Sequence, residues 1–275
     1  MAYEKYWGKY KNIIDKSVSN SENLMDIWWK VTADENWSQT PSDIQKNGII
    51  TKSRHGNKKG CTLLRDGKAC PTFTKDDFFD YYEHVVNPIV SLVDKDVDCI
   101  IEFGSGWGRN LFYILNKIKR KDIDYYAFEY TGAGCNAAKS LARVVSDYNF
   151  YTNRFDYNNP NINLNKKYKK IVIFTRYSIE QVTILKLDFF NKLLEMKSNF
   201  NVVHQEPVGW QVYNKKELGQ EKNISSKKCD KYNKNLYKIL KQLEKENKII
   251  IDKVTVGYTG FVHRSGTLIQ WHKQK

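Results

Sequence analysis

Three groups of residues in this chain combine types and spacing that could do chemistry. The first is Glu102-Phe-Gly104-Ser105-Gly106-Trp-Gly108-Arg-Asn110, an acid followed by glycines at alternate positions. Glycines let backbone approach a ligand closely, and a helix start just beyond them adds free N–H groups. The second is a pair of acids, each followed by a tyrosine: Glu129-Tyr130 and Asp156-Tyr157. A carboxylate offers two acceptor oxygens, which suits a diol or an amino group. The third comprises Arg176-Tyr177-Ser178-Ile-Glu180-Gln181 and His204-Gln-Glu206. His204, Glu206 and Glu180 are candidate bases for a poorly nucleophilic hydroxyl, and Arg176 is a candidate anchor for an anionic acceptor. Each has a bland counterpart. His204 and Glu206 also read as a polar strand end, and Ser178 with Gln181 as a helix capping box.

The elements that would position these groups follow from apolar patterning. Cys99 to Phe103 reads as a buried strand feeding the glycine loop, with a helix from Leu111. Further strands are expected at 124–128, 149–155, 170–174 and 201–205, each ending at one of the polar groups above. Glu129, Asp156, Arg176 and Glu206 would then share one edge of a sheet, where ligands of open α/β proteins bind. A helix over about 230–246 and two strands, 249–254 and 267–271, complete the chain. Thr74 with Asp76 and Asp77 predicts a helix start, and Pro88 predicts a kink or restart after Phe78, Phe79, Tyr82, Val85 and Val86. Tyr81 and His84 on that helix are site or packing residues.

Glu-x-Gly-x-Gly-x-Gly at 102–108 resembles motif I of the class I S-adenosylmethionine (SAM)-dependent methyltransferases, and the resemblance spans about residues 75–275. It implies an α/β, Rossmann-like sheet of five parallel strands plus an antiparallel terminal pair, with helices on both faces. It also implies SAM as cofactor and S-adenosylhomocysteine as product. Glu102, Gly104, Ser105, Gly106, Gly108 and Asn110 fall at the methionyl end, Glu129 and Tyr130 at the ribose, and Asp156 and Tyr157 at the adenine. Arg176 stands at the fourth strand exit, where amino-methylating DNA enzymes carry an Asn/Asp-Pro-Pro-aromatic motif that this chain lacks. There is no evident acidic set for the divalent metal of catechol-type members, so metal-independent O-methyl transfer is expected. The segments 176–181 and 206–210 resemble bacterial enzymes that modify surface glycans or their activated precursors, which implies capsule or polysaccharide biosynthesis. An RNA or protein methyltransferase is the alternative, and a non-catalytic SAM- or nucleotide-binding module is a second.

Composition limits the partners. The chain has 275 residues, 41% hydrophobic and 14% aromatic, enough for a substantial core. Its formal net charge is +14, mostly lysine spread over polar segments, including those around the helix at 230–246. Such lysines read as a solvated face, so a small anionic acceptor is preferred and nucleic acid is the lesser expectation. No signal-like or membrane-spanning run is present, and five scattered cysteines show no C-x-x-C pair, so a cytoplasmic protein is expected. The richness in Lys, Asn and Ile fits an AT-rich bacterial genome. Residues 1–74 are expected to form a mostly helical cap, with Trp28, Trp29 and Trp37 as a lid over the acceptor, and 75–275 the transferase domain. His55 and His263 read as loop residues, and oligomeric state is not legible.

Overall fold

A computed structural model describes residues 2–37, 61–72, 74–212, 232–261 and 264–274. Its centre is a nine-stranded sheet. β3 (Cys99–Phe103), β4 (Asp124–Glu129), β5 (Asn149–Arg154), β6 (Lys170–Arg176) and β7 (Asn199–Glu206) are parallel. β8 (Ile249–Phe261) and β9 (Arg264–Lys273) return antiparallel, with β9 inserted between β7 and β8. The α/β, Rossmann-like arrangement expected from the sequence is therefore present, and the strand order reverses at β3. Crevices form at such a reversal, beyond the carboxyl ends of the strands.

The central parallel strands β3 and β6 are apolar on both faces, as covered strands must be, whereas the edge strand β5 is partly exposed. One face, carrying Ile100, Tyr125, Val172, Phe174 and Val203, packs under α1 (Ala2–Ser19), α2 (Leu24–Trp37), α3 (Lys75–Val90), α4 (Arg109–Ile118) and α5 (Gly132–Ala142). The other, carrying Ile101, Phe103, Ile173 and Val202, packs under α6 (Leu187–Leu194) and α8 (Leu236–Lys245). A single turn, α7 (Gly209–Val212), follows β7. Leu236, Ile239, Leu240 and Leu243 of α8 are buried at the spacing that marks a helix face.

Four expectations need correction. The N-terminal helices are no separate cap: Tyr10, Ile14, Ile27, Trp28 and Trp29 belong to the same core as the sheet, so the expected boundary at residue 74 falls within one core. Trp28 and Trp29 are sealed against Phe78 and Phe79 and serve packing, not a lid. The Trp37 side chain, His55 and His263 lie outside the description. Second, α3 is capped by Thr74 as expected, in a capping box closed by Asp77, but runs through Pro88. Proline's missing N–H leaves the His84 carbonyl without its helical donor, and Tyr258 Oη donates to that carbonyl at 2.9 Å. Tyr81 accepts from Gly260 N at 2.6 Å and His84 packs on the Tyr258 ring, so both tie α3 to β8. Third, β8 and β9 extend almost to each other, with register shifts where a loop is expected. Fourth, a hairpin of β1 (Cys61–Arg65) and β2 (Lys68–Thr72) extends the sheet beyond β8. Its turn is Asp66-Gly67, both left-handed (φ 50° and 75°), a known two-residue hairpin signal.

Candidate functional site

The loop from β3 into α4 is held by its own backbone. Gly104 N and Ser105 N donate to the Phe128 carbonyl at 2.7 and 3.1 Å, and Gly106 N donates to Glu129 Oε2 at 2.9 Å. Gly104 and Gly106 are left-handed (φ 73° and 56°), which favours glycine, and neither has room for a side chain. A Cβ on Gly104 would collide with Ser178, and one on Gly106 would lie 2.8 Å from the Trp7 ring. The loop is thus closely approached on two sides, by the β6 exit and by α1.

A cavity of about 310 Å³ opens beside this loop at the ends of β3, β4, β5 and β6. Gly104, Glu129, Tyr130, Asp156, Tyr157 and Ser178 line it, as do Tyr3 and Trp7 of α1. Glu129 is buried; Oε1 accepts from Thr131 N and Oγ1 at 2.9 and 2.8 Å, while Oε2 accepts only from Gly106 N. A carboxylate has about four acceptor sites, so acceptor capacity at Oε2 remains. Asp156 forms an Asx turn with Asn158 N (2.8 Å). The buried Tyr157 hydroxyl donates to the Phe103 carbonyl at 3.1 Å and meets Ser178 Oγ at 2.9 Å, and burial keeps it protonated well above the usual range. Tyr130 stands 61% exposed at the rim.

Other expected residues lie beneath the cavity. Glu102 is fully buried; Oε1 accepts from Asn110 Nδ2 at 2.6 Å, Tyr82 donates to Asn110 Oδ1, and Oε2 has no partner. Burial pushes the Glu102 carboxyl up to about 8. Arg176, on the same face, places its guanidinium over the rings of Tyr177 and Tyr82, at 5.1 and 5.8 Å. Gly108 starts α4, and Ser105 is buried with its hydroxyl unpartnered.

The expected bases face elsewhere. His204 projects into the α6 side of the sheet, where Trp271 Nε1 donates to its Nε2 at 3.0 Å and Nδ1 meets Thr175 Oγ1 at 2.9 Å. Both nitrogens are taken, and burial pushes its pKa down to about 3, so it is a neutral packing residue and not a base. Glu206 is equally buried and accepts from the N–H groups of Ser178, Ile179 and Glu180 at 3.1 to 3.3 Å. Burial pushes it up to about 7, while those donors favour its charged form. It caps the short helical turn Ile179–Gln181, a role the sequence assigns to Ser178. Ser178 Oγ instead donates to the Phe103 carbonyl at 2.9 Å. Glu180 is buried and accepts from Gln181 Nε2 at 2.8 Å.

Three residues of α1 go unanticipated as part of the site. Tyr3 Oη donates to Gln181 Oε1 at 2.6 Å, and Glu4 accepts from Gly132 N and Ala133 N at 3.1 and 2.8 Å. With Trp7 on the glycine loop, the first two turns of α1 bridge the cavity walls. The apolar stripe of α1 is visible in the sequence, but a stripe does not say which strand ends it covers. Among the described residues, no helix could cross a membrane and no group of three or more His, Cys, Asp or Glu could hold a metal ion.

Fold and site together define an open α/β protein with a ligand cleft at its strand reversal. No family model and no curated protein matches the chain. Solved structures do. Geranyl diphosphate C-methyltransferase from Streptomyces coelicolor A3(2), in complex with Mg2+, geranyl diphosphate and S-adenosyl-L-homocysteine, is 8% identical with a TM-score of 0.49, over 73% of this chain and 82% of that one. Magnesium protoporphyrin IX methyltransferase from Synechocystis PCC 6803, with bound SAH, is 12% identical with a TM-score of 0.45, over 71% and 82%. A ribosomal protein L11 methylase from Lactobacillus delbrueckii subsp. bulgaricus is 13% identical with a TM-score of 0.42, over 70% and 77%. Identities this low leave every residue role to this chain's own geometry.

Proposed function

We propose that this chain is a SAM-dependent methyltransferase that methylates an oxygen of a small, hydroxylated, anionic acceptor, such as a precursor of a bacterial surface polysaccharide. The observation that carries the reading is the joining of the glycine loop and Glu129 in one cavity at the strand reversal. The residues present fit the cofactor. Glu102, buried with Oε2 unpartnered and its carboxyl pushed up to about 8, would lose its proton and become an acceptor when an ammonium group is placed beside it. Glu129 Oε2 retains capacity for a ribose hydroxyl, and Asp156 with Tyr157 offers an acceptor beside a ring. Bound SAM would supply a methyl group activated by its positive sulfur.

The chain's own contribution is placement. Glu129 ties the glycine loop to the β4 exit, so the loop that must approach the cofactor and the acid that binds it move as one unit. Glu206 fixes the β6 exit through three N–H groups and so sets where Arg176 and Tyr177 stand. Arg176 would hold an anionic acceptor, and with His204 sealed in the core, alignment of the acceptor oxygen supplies the rate enhancement. Isothermal titration of S-adenosylhomocysteine into the full chain tests the reading. Wild type should bind; Gly106→Val should not, while keeping its circular dichroism spectrum. Absence of binding to wild type, or equal affinity in the folded variant, would overturn it.

A further inference from the structure

The first two turns of α1 are tied to both flanks of the cavity. On the β6 side, Tyr3 Oη donates to Gln181 Oε1 at 2.6 Å. On the β4 side, Glu4 accepts from Gly132 N and Ala133 N of α5 at 3.1 and 2.8 Å. The Trp7 ring lies 2.8 Å from where a Gly106 side chain would begin, and it lines the same cavity. A ligand lying against the backbone of the glycine loop therefore shares that surface with Trp7. Tyr3, Glu4 and Lys5 are exposed, and Tyr6 and Trp7 are half-buried. Ties of this kind are readily exchanged for water, because an exposed hydrogen bond contributes little net stability.

The rest of the same helix is anchored. Tyr10, Ile14 and Ser17 are buried, the first two within the main core, and Lys9 pairs with Asp34 of α2. Gly8 stands at the change. It lies inside the helix, and a Cβ there would meet nothing within 4 Å. Neither crowding nor a left-handed turn demands glycine at this position, and glycine is the poorest helix former after proline. The weakest point of α1 thus falls between its lightly tied end and its anchored end.

We propose that residues 2–7 form a strap that opens about Gly8 to admit and release the ligand of the cavity. It closes through Tyr3 on Gln181, Glu4 on α5 and Trp7 on the glycine loop. The strap rests on the cofactor reading above for the identity of its ligand, though not for its motion. Opening breaks the two flank ties, while the Lys9–Asp34 pair and the buried stripe of α1 stay in place. Free and occupied chains share these ties. A variant that shifts the opening therefore changes association and dissociation by the same factor and leaves affinity alone.

The test uses the full chain, without ligand and with S-adenosylhomocysteine. The N–H groups of Lys9, Tyr10 and Lys11 donate along the helix to the carbonyls of Lys5, Tyr6 and Trp7, so their hydrogen exchange reports opening at Gly8. Without ligand they should exchange as fast as the amides of Tyr6 to Gly8 and faster than those of Ile14 to Ser17. An end that merely frays would instead grow steadily more protected from Tyr6 to Lys11. Tyr3→Phe should speed exchange at Lys9 to Lys11 several-fold. Gly8→Ala should slow it roughly five-fold, with the circular dichroism spectrum kept. In stopped-flow tryptophan fluorescence, S-adenosylhomocysteine should bind and leave faster in Tyr3→Phe and slower in Gly8→Ala, by those same factors, with its affinity in isothermal titration unchanged. A graded exchange pattern, or exchange indifferent to both variants, overturns the strap. So do wild-type rates in both variants, or a changed affinity with an unchanged association rate, which would make Tyr3 an ordinary contact of the bound ligand. Exchange that follows the variants in a chain that never binds S-adenosylhomocysteine would uphold the motion and remove the cofactor reading.

Discussion

Glu102 keeps one carboxyl oxygen on Asn110 and the other on nothing, inside a site with no exposure. Burial pushes its carboxyl up to about 8 from an ordinary value of 4.5, so between these values the folded chain holds a proton that the unfolded chain has lost. A raised folded pKa stabilises below the unfolded value, and that contribution drains away as pH climbs from 4.5 through 8. The steepest slope one such group can give is about 1.4 kcal/mol per pH unit. Glu102→Gln should flatten this part of the stability curve, measured by urea unfolding across that range without cofactor. An unchanged curve would mean that Glu102 is charged when buried. His204 works in the opposite direction, because its folded pKa is depressed: its contribution is present above 6.5 and lost as pH falls toward 3. At this scale the sequence shows residue types but not their surroundings. Glu102 and the glycines are legible because their spacing is local. The seal over His204 depends on Trp271, far along the chain, and no spacing rule reveals it.

Among the elements, α1 has the least expected role. Glu4 supplies two of the N–H partners at the start of α5, and Thr131 supplies another through Gly134 N. Glu4→Ala should cost about 0.5–1 kcal/mol, a modest figure because Glu4 is exposed. Its larger effect should be kinetic. With its first turn untethered on the α5 side, α1 should release S-adenosylhomocysteine faster, read by stopped-flow tryptophan fluorescence. Equal release rates would leave α1 a roof with no bearing on exchange. The parallel strands and their polar exits are legible because a covered strand is continuously apolar. The hairpin β1–β2 is legible in principle, since Asp66-Gly67 stands between two short extended runs. What period two cannot give is which face is which. His204 and Glu206 do share a side, as alternation requires, but it is the α6 side, and Gln205 between them faces α3.

For the whole molecule, one shared core is the governing fact. Tyr10, Ile27 and Trp28 belong to the cluster that also holds Ile100 and Val172, with α1 packed on α5 and α2 on α4, so removing the N-terminal helices strips one side of the sheet. A chain starting at residue 38 should therefore lack a cooperative thermal transition by circular dichroism. A sharp transition with retained S-adenosylhomocysteine binding would restore the idea of a detachable cap. The composition shows that a large core is affordable to this chain, yet not that α1 and α2 belong to it, because docking surface and core have the same apolar stripe.

The hairpin that ends the sheet has one more effect. A strand at a sheet's border presents unpaired N–H and C=O groups, an invitation to any second chain with an extended segment. At the end of the sheet opposite β5 the border is β2, only five residues long, and it contains Pro71. Pairing alternates from the turn: Arg65 with Lys68, Leu64 with Ala69, Leu63 with Cys70, Thr62 with Pro71. Counting from the hydrogen-bonded pair that closes a two-residue hairpin, Pro71 falls where N–H groups point outward. The donor it lacks is the one a newcomer would need. The C-terminal end of the long β8, which would otherwise form this border, is covered by the short hairpin with a gap in its outer ladder, so a second copy approaching this end of the sheet meets a poor template for strand pairing.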